Sequence, residues 1–264
     1  MKEEIASARL GLFVCGAQKG GTSALAAYLR QHPGLSPPPA KELHFFDDEA
    51  RCWARPDYTA LEAGFAPADG RLRYECTPAY GFWRPALARI AAYHPAARLV
   101  FVLRDPFHRA WSHWCMEYAR GAESLPFAEA IRAGRRRLRG RGGLDPAWRA
   151  WSYVERGFYG LQLARARGHF PAAQILCLRS EDLAADPAGT LARLAGFAGL
   201  APFPPLAPLR VHEAPRRAWP CAPTEADRAL VMAELAADLA DCTRLSGLDT
   251  GGWGTCLPAV RSPA

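Results

Sequence analysis

Long apolar runs are missing from this sequence. Met1 to Arg9 carries two acids and no apolar stretch, and the first apolar segment, Leu10 to Cys15, falls far short of the roughly 20 residues that cross a bilayer. Neither a leader nor an anchor is read here, so a soluble, cytoplasmic chain with no membrane partner is expected. Metal-ligand spacing is missing too. The eight cysteines, Cys15, Cys52, Cys76, Cys115, Cys177, Cys221, Cys242 and Cys256, form no C-x-x-C pair and no Cys/His cluster, which argues against a zinc site and for reduced thiols. His108 and His113 have no third ligand in view and read as structural. No metal is expected. Acids are also in short supply: 26 Asp plus Glu against 33 Lys plus Arg gives +7. That balance favours anionic partners without distinguishing a nucleotide from a sulfated sugar, a nucleic acid or a membrane surface. With no repeat, no sharp boundary, and half of its 264 residues hydrophobic, the chain reads as one domain over 1–264.

What is present is a succession of strands that feed helices. Leu10 to Gly16 is a nearly continuous apolar run ending in glycine, the pattern of a strand buried on both faces of a parallel sheet. A glycine-rich turn follows, and then Thr22 to Gln31 carries Leu25, Ala26 and Leu29 at helical spacing until His32-Pro33-Gly34 stops it. Arg98 to Leu103 is a second strand, turned by Arg104-Asp105-Pro106 into a helix over Phe107 to Tyr118. Ile175 to Leu178 is a third, with a Ser180-Glu181-Asp182 cap and a helical stretch from Pro187 to Gly199. The alternation implies an α/β fold in three layers, a central parallel sheet flanked by helices. Ser36 to Arg73 and Gly121 to Trp148 read as irregular, rich in Pro, Gly and charge, the kind of long loop that shapes a binding cleft.

The turn Gly16-Ala17-Gln18-Lys19-Gly20-Gly21-Thr22-Ser23 lies where a strand enters a helix, so backbone N–H groups and the helix dipole converge on a spot suited to an anion. Glycine permits close approach and Lys19 adds a mobile charge; a tight turn without a ligand is the alternative. The nucleotide-triphosphatase pattern G-x-x-x-x-G-K-[ST] is not met, because Lys19 precedes the Gly-Gly pair. That order, and the want of a clear magnesium-holding carboxylate after a strand, argues against a P-loop kinase or nucleotidase. The string Q-K-G-G-T-S, a helix ending in His-Pro, and then Lys41-Glu42-Leu43-His44-Phe45-Phe46-Asp47 together resemble the sulfotransferase family that uses 3′-phosphoadenosine 5′-phosphosulfate (PAPS), in its heparan-sulfate-type and bacterial branches. The resemblance implies a P-loop-like fold, PAPS as donor substrate, and a 5′-phosphosulfate held by Gln18, Lys19, Gly20, Gly21, Thr22 and Ser23.

Arg98 to Trp114 resembles the family's second donor motif, a strand followed by R-D-P-x-x-R-x-x-S, which implies that Arg104 and Ser112 grip the 3′-phosphate. Independently, an arginine at the carboxyl end of a parallel strand faces the crevice where such sheets bind ligands, and its guanidinium suits a phosphate. A plain Arg104–Asp105 ion pair at the helix start is the alternative. Tyr74 to Tyr80 resembles E-K-T-P-x-Y, and Arg156-Gly157-Phe158-Tyr159 resembles R-G-x-Y, which places Tyr159 among the nucleotide contacts. Arg216-Arg217-Ala218-Trp219-Pro220 is similar to the late basic loop, implying that Arg216 and Arg217 close over the nucleotide. Cys76 stands where a lysine is common in the heparan enzymes, a departure that counts against a polysaccharide acceptor.

Sulfuryl transfer demands an in-line nucleophile and relief of charge on the departing oxygen. Lys19 is the candidate for the second task. The resemblance makes Glu42 the base, with His44 the competing candidate because it titrates near neutral pH; a surface pair before the Phe45-Phe46 anchor is the bland alternative. The basic run Arg132 to Arg141 reads as a solvated helix end and loop, with a nucleic-acid or heparin patch as the alternative that no accompanying nucleic-acid module supports, and Trp148, Trp151 and Tyr153 read as packing, with a platform for an aromatic acceptor as the alternative. The expected partner is a small-molecule or carbohydrate acceptor, with no nucleic acid. A non-catalytic anion-binding protein of the same fold is the rival, and the loops that would contact an acceptor carry no readable code.

Overall fold

A computed structural model describes residues 9–206 and 219–258. The first strand, β1 (Leu12–Gly16), is entirely buried and runs into helix α1 (Thr22–Leu29). A two-residue strand β2 (Leu35–Ser36), a short helix α2 (Thr59–Glu62) and β3 (Leu72–Cys76) follow. Then come α3 (Ala86–Tyr93), β4 (Arg98–Leu103) and α4 (Pro106–Ala119). Helices α5 (Phe127–Leu138), α6 (Ala147–Trp151) and α7 (Tyr159–Arg167) lead to β5 (Ile175–Arg179). The described chain closes with α8 (Ser180–Ala185), α9 (Pro187–Ala198) and the long α10 (Glu225–Ser246).

The five strands form one sheet in the order β2-β3-β1-β4-β5, and every pairing is parallel. Side chains alternate across it as a strand's period of two requires. Phe13, Cys15, Leu99 and Phe101 enter the core beneath α3 and α7. Leu12, Val14, Val100 and Val102 enter the core beneath α1 and α9. The expected α/β layering, helix, parallel sheet and helix, is therefore the observed one. A third apolar cluster joins α4, α5 and α10 around Trp114, Phe127 and Leu235.

Two expectations needed correction. The stretch 121–148 is not all irregular, because Phe127 to Leu138 is helical. Its core stripe, Phe127, Ala130, Ile131, Gly134 and Leu138, recurs at helical spacing but is interrupted in the sequence by arginines. Those arginines are committed to carboxylates: Arg132 to Asp227 at 3.2 Å, Arg135 to Glu155 at 3.0 Å, Arg137 to Glu123 at 2.8 Å and Arg141 to Asp145 at 3.0 Å. The Ser180-Glu181-Asp182 cap is itself the first turn of a helix. Helix α10 escaped notice despite its reciprocal Thr224/Asp227 capping box. Among the described residues no helix is long and apolar enough to cross a membrane.

Candidate functional site

The central position of β1 brings the loops after β1, β3 and β4 to one edge of the sheet, the carboxyl edge where parallel sheets hold their ligands. The glycine loop is tied down from below: Ala17 N–H donates to Val102 O at 2.8 Å and Gly20 N–H to Ala17 O at 2.8 Å. Gly20 has no room for a side chain, since a Cβ there would lie 2.3 Å from Val102 O and 2.8 Å from Ala17 O. Gly21 starts α1 with φ +98 and no side-chain cap, so the first-turn N–H groups at Thr22 and Ser23, which have no intrahelical acceptor by geometry, are left to an anion. Lys19 stands in the left-handed region at φ +68, a conformation that costs a non-glycine residue about 1 kcal/mol or more.

Arg104 follows the last residue of β4, and its Nη1 lies 3.5 Å from the carbonyl oxygen of Lys19. The alternative ion pair with Asp105 does not form. The Asp105 carboxylate caps α4, accepting from Phe107 N–H at 2.8 Å and His108 N–H at 3.1 Å, and also accepts from Gly254 N–H at 2.6 Å. Among the described residues no carboxylate pairs with Arg104, so a half-buried guanidinium remains available beside the loop. Lys19 Nζ reaches Met116 Sδ at 3.9 Å on α4. Ser112 is one turn before Met116 on that helix, hence on the same face. Burial lowers the Lys19 pKa and the charges of Arg120 and Arg104 lower it further, with Glu42 acting the other way. The glycine loop, Arg104 and Glu42 thus share one electrostatic neighbourhood.

A second cluster of candidate residues lies within 41–47. Lys41 pairs with Glu42. His44 Nε2 lies 3.5 Å from Glu42 Oε2, and its Nδ1 lies 3.0 Å from Asp47 Oδ2. Asp47 is wholly buried, and the same Oδ2 also accepts from Arg149 Nη1 at 2.5 Å. Burial pushes the Glu42 carboxyl up, but hydrogen bonds from His44 and Lys41 outweigh it and take it to about 2. The bonds to Asp47 and Glu42 raise His44 to about 9. At neutral pH the pair is therefore carboxylate and imidazolium, and only Glu42 can receive a proton. Glu42 and His44 also stand at positive φ, +65 and +53. Among the described residues, the three positive-φ residues other than glycine are the three candidate catalytic residues, a clustering of backbone strain typical of functional sites.

A family model described as "Sulfotransferase family" matches residues 75–205. The chain is 37% identical over 186 residues to heparan sulfate glucosamine 3-O-sulfotransferase 6 of Homo sapiens, covering 70% of this chain and 50% of that protein. It is 35% identical over 187 residues to heparan sulfate glucosamine 3-O-sulfotransferase 3B1 of Homo sapiens, covering 70% of this chain and 44% of that one. The chain thus spans about half the length of the curated relatives it matches. A crystal structure of a sulfotransferase from Alicyclobacillus acidocaldarius matches with a TM-score of 0.75 at 26% identity, over 93% of this chain and 98% of that one. This chain belongs to the sulfotransferase family.

Within a sulfotransferase, the geometry sorts the candidates. Gln18, Lys19, Gly20, Gly21, Thr22 and Ser23 form the loop and first helical turn at one wall, and Arg104 and the Ser112 face of α4 adjoin it. Tyr159 is placed otherwise than its motif implies. It has no exposed surface to offer a ligand, and its hydroxyl donates to the Arg104 carbonyl at 2.9 Å, so it fixes the backbone of Arg104 instead. Arg216 and Arg217 lie outside the described residues. His113 is buried against Tyr153, ring centroids 4.9 Å apart, and His108 Nε2 meets Cys256 O at 3.1 Å, as befits structural residues.

Three residues went unassigned in the sequence. Asp47 and Arg149 are distant in the chain and meet only on folding. Glu75 is wholly buried in β3, where its Oε1 accepts from Leu43 N–H at 3.0 Å and from the Thr77 hydroxyl. Burial pushes it up to about 7, against the pull of those two bonds. Its sequence signal was its place as the glutamate of the segment Tyr74 to Tyr80 that resembles E-K-T-P-x-Y.

Proposed function

We propose that this chain transfers the sulfuryl group of PAPS to a hydroxyl or amine of a carbohydrate or small-molecule acceptor, releasing adenosine 3′,5′-bisphosphate. One observation carries the reading: Arg104 Nη1 stands 3.5 Å from the Lys19 carbonyl, which supports two separate anion grips side by side, as a doubly phosphorylated nucleotide requires. The fit is chemical as well as spatial. The glycine loop offers backbone N–H groups and a helix N-terminus for the 5′ end, and Arg104, uncommitted to any described carboxylate, offers a fork for the 3′-phosphate.

In the transfer, the acceptor oxygen or nitrogen bonds to sulfur as the sulfur–oxygen bond to the 5′-phosphate breaks, and that electron pair stays on the phosphate oxygen. Lys19 and the first-turn N–H groups neutralise the charge gathering there. The acceptor proton goes to Glu42. Its low pKa keeps the carboxylate ionised throughout the physiological range, and an acceptor whose bond to sulfur is forming is acidic enough for a weak base. His44, held charged between Glu42 and Asp47, orients that carboxylate. Lys41 shields it.

The two curated relatives are named for heparan sulfate glucosamine, so a sugar hydroxyl is the first acceptor class to test. Cys76, where those enzymes commonly carry lysine, is buried and supplies no cation for a sulfated polymer, which favours a small sugar or sugar conjugate. Eight free thiols support a cytoplasmic setting. Calorimetry with adenosine 3′,5′-bisphosphate, adenosine 5′-phosphate and ATP tests the donor half. A strong preference for the bisphosphate is expected, and equal affinities would refute the crevice assignment.

A further inference from the structure

The loop that carries Glu42 is held in a shape it does not prefer. Glu42 and His44 both have positive φ and neither is glycine, so the conformation must be imposed from outside the loop. The imposing contacts lie in the sheet below. Leu43 N–H donates to Glu75 Oε1 at 3.0 Å and His44 N–H to Thr77 Oγ1 at 3.2 Å, while the Thr77 hydroxyl donates onward to the same Glu75 oxygen. Both side chains are completely buried, and among the described residues Glu75 Oε2 has no hydrogen-bond partner. A buried carboxyl in no ion pair with a described residue is a costly core residue, and its neighbours in β3 on the opposite face, Tyr74 and Cys76, are packed among apolar side chains. The position is explained by what the carboxyl holds.

We infer that Glu75, with Thr77 as its relay, is a positioning residue that clamps the strained Glu42–His44 loop and so aims the Glu42 carboxylate at the acceptor. The inference rests on the sulfuryl-transfer reading above. The clamp bypasses the donor grip, whose loop is tied instead to β4 through Ala17 N–H and Val102 O. Losing the clamp should therefore reduce turnover and spare donor binding, a split that general loss of structure would not produce.

The experiment compares wild type with Thr77→Val, Glu75→Ala and Glu75→Gln, measuring PAPS turnover with a sugar acceptor panel, adenosine 3′,5′-bisphosphate affinity by calorimetry, and thermal unfolding. Thr77→Val keeps the shape and deletes the relay hydroxyl, so it carries the test even if Glu75→Ala fails to fold. The expected result is a fall in kcat of roughly ten-fold or more for Thr77→Val and Glu75→Ala, with bisphosphate affinity within about two-fold of wild type. Glu75→Gln, which retains an oxygen to accept the Leu43 N–H, should recover most of what Glu75→Ala loses. A wild type that turns over PAPS while Thr77→Val matches its kcat overturns the clamp, as does bisphosphate affinity falling in step with kcat. A wild type that neither binds the bisphosphate nor turns over PAPS overturns the functional reading instead.

Discussion

Replacing Arg104 by alanine separates the two ends of the crevice. The guanidinium is half-buried and, among the described residues, is tied to the fold by one hydrogen bond, 3.5 Å to the Lys19 carbonyl. The backbone at this position keeps its anchor, because the Tyr159 hydroxyl holds the carbonyl oxygen rather than the side chain. Loss of stability should stay under about 1 kcal/mol, as at surface positions without a buried network. A charge-assisted grip on a phosphate is worth about 1.5–3 kcal/mol, so the variant should bind adenosine 3′,5′-bisphosphate roughly ten- to a hundred-and-fifty-fold more weakly. Adenosine 5′-phosphate, lacking the 3′ group, should bind equally to both proteins. Arg104→Lys should recover part of the loss, since it restores the charge without the planar fork. Calorimetry on the two nucleotides reads this directly. Equal weakening toward both, or toward neither, would show that Arg104 does not face the 3′-phosphate.

Four further outcomes are expected. Glu42→Gln should lower kcat by about a hundred-fold, within the usual range for a general base, with bisphosphate affinity unchanged, as steady-state kinetics beside calorimetry would show. Gly20→Ala should destabilise the fold and weaken donor binding together, because the new Cβ would press on two backbone oxygens at 2.3 and 2.8 Å; overpacking of this kind costs about 1–3 kcal/mol and is read by thermal unfolding. Tyr159→Phe should weaken bisphosphate binding less than Arg104→Ala does, since it frees the Arg104 backbone without removing the charge. His44 is raised to about 9 in the folded protein, above the ordinary value of about 6.5; its stabilising contribution is present below that ordinary value and lost as pH rises through about 9. Melting temperature should therefore fall across that window more steeply in wild type than in His44→Gln.

Much of the candidate donor site was legible because its parts are local. A glycine loop between a buried strand and a helix, and an arginine one residue beyond a strand, are fixed by backbone geometry over a few residues, and both fell where the motifs placed them. The candidate residues at 41–47 were half legible. Glu42 and His44 are near neighbours in sequence and shift one another, but His44 also depends on Asp47, which Arg149 joins from across the fold. Helix α5 was hidden because its arginines mask a regular apolar stripe until the carboxylates of Glu123, Glu155 and Asp227 neutralise them.

By itself the sequence determined the layer order, the glycine turn between strand and helix and the charged residue within it, since hydrophobic period, glycine placement and residue chemistry are written along the chain. Only the tertiary structure decided that Lys19 and Arg104 are neighbours, that Tyr159 holds the Arg104 carbonyl from within the core, and that Glu75 and Thr77 bond the backbone of the positive-φ Glu42–His44 loop. Those relations join strands and loops remote in sequence. They exist because parallel packing brings the carboxyl ends of β1, β3 and β4 to one edge, and no local pattern encodes that meeting.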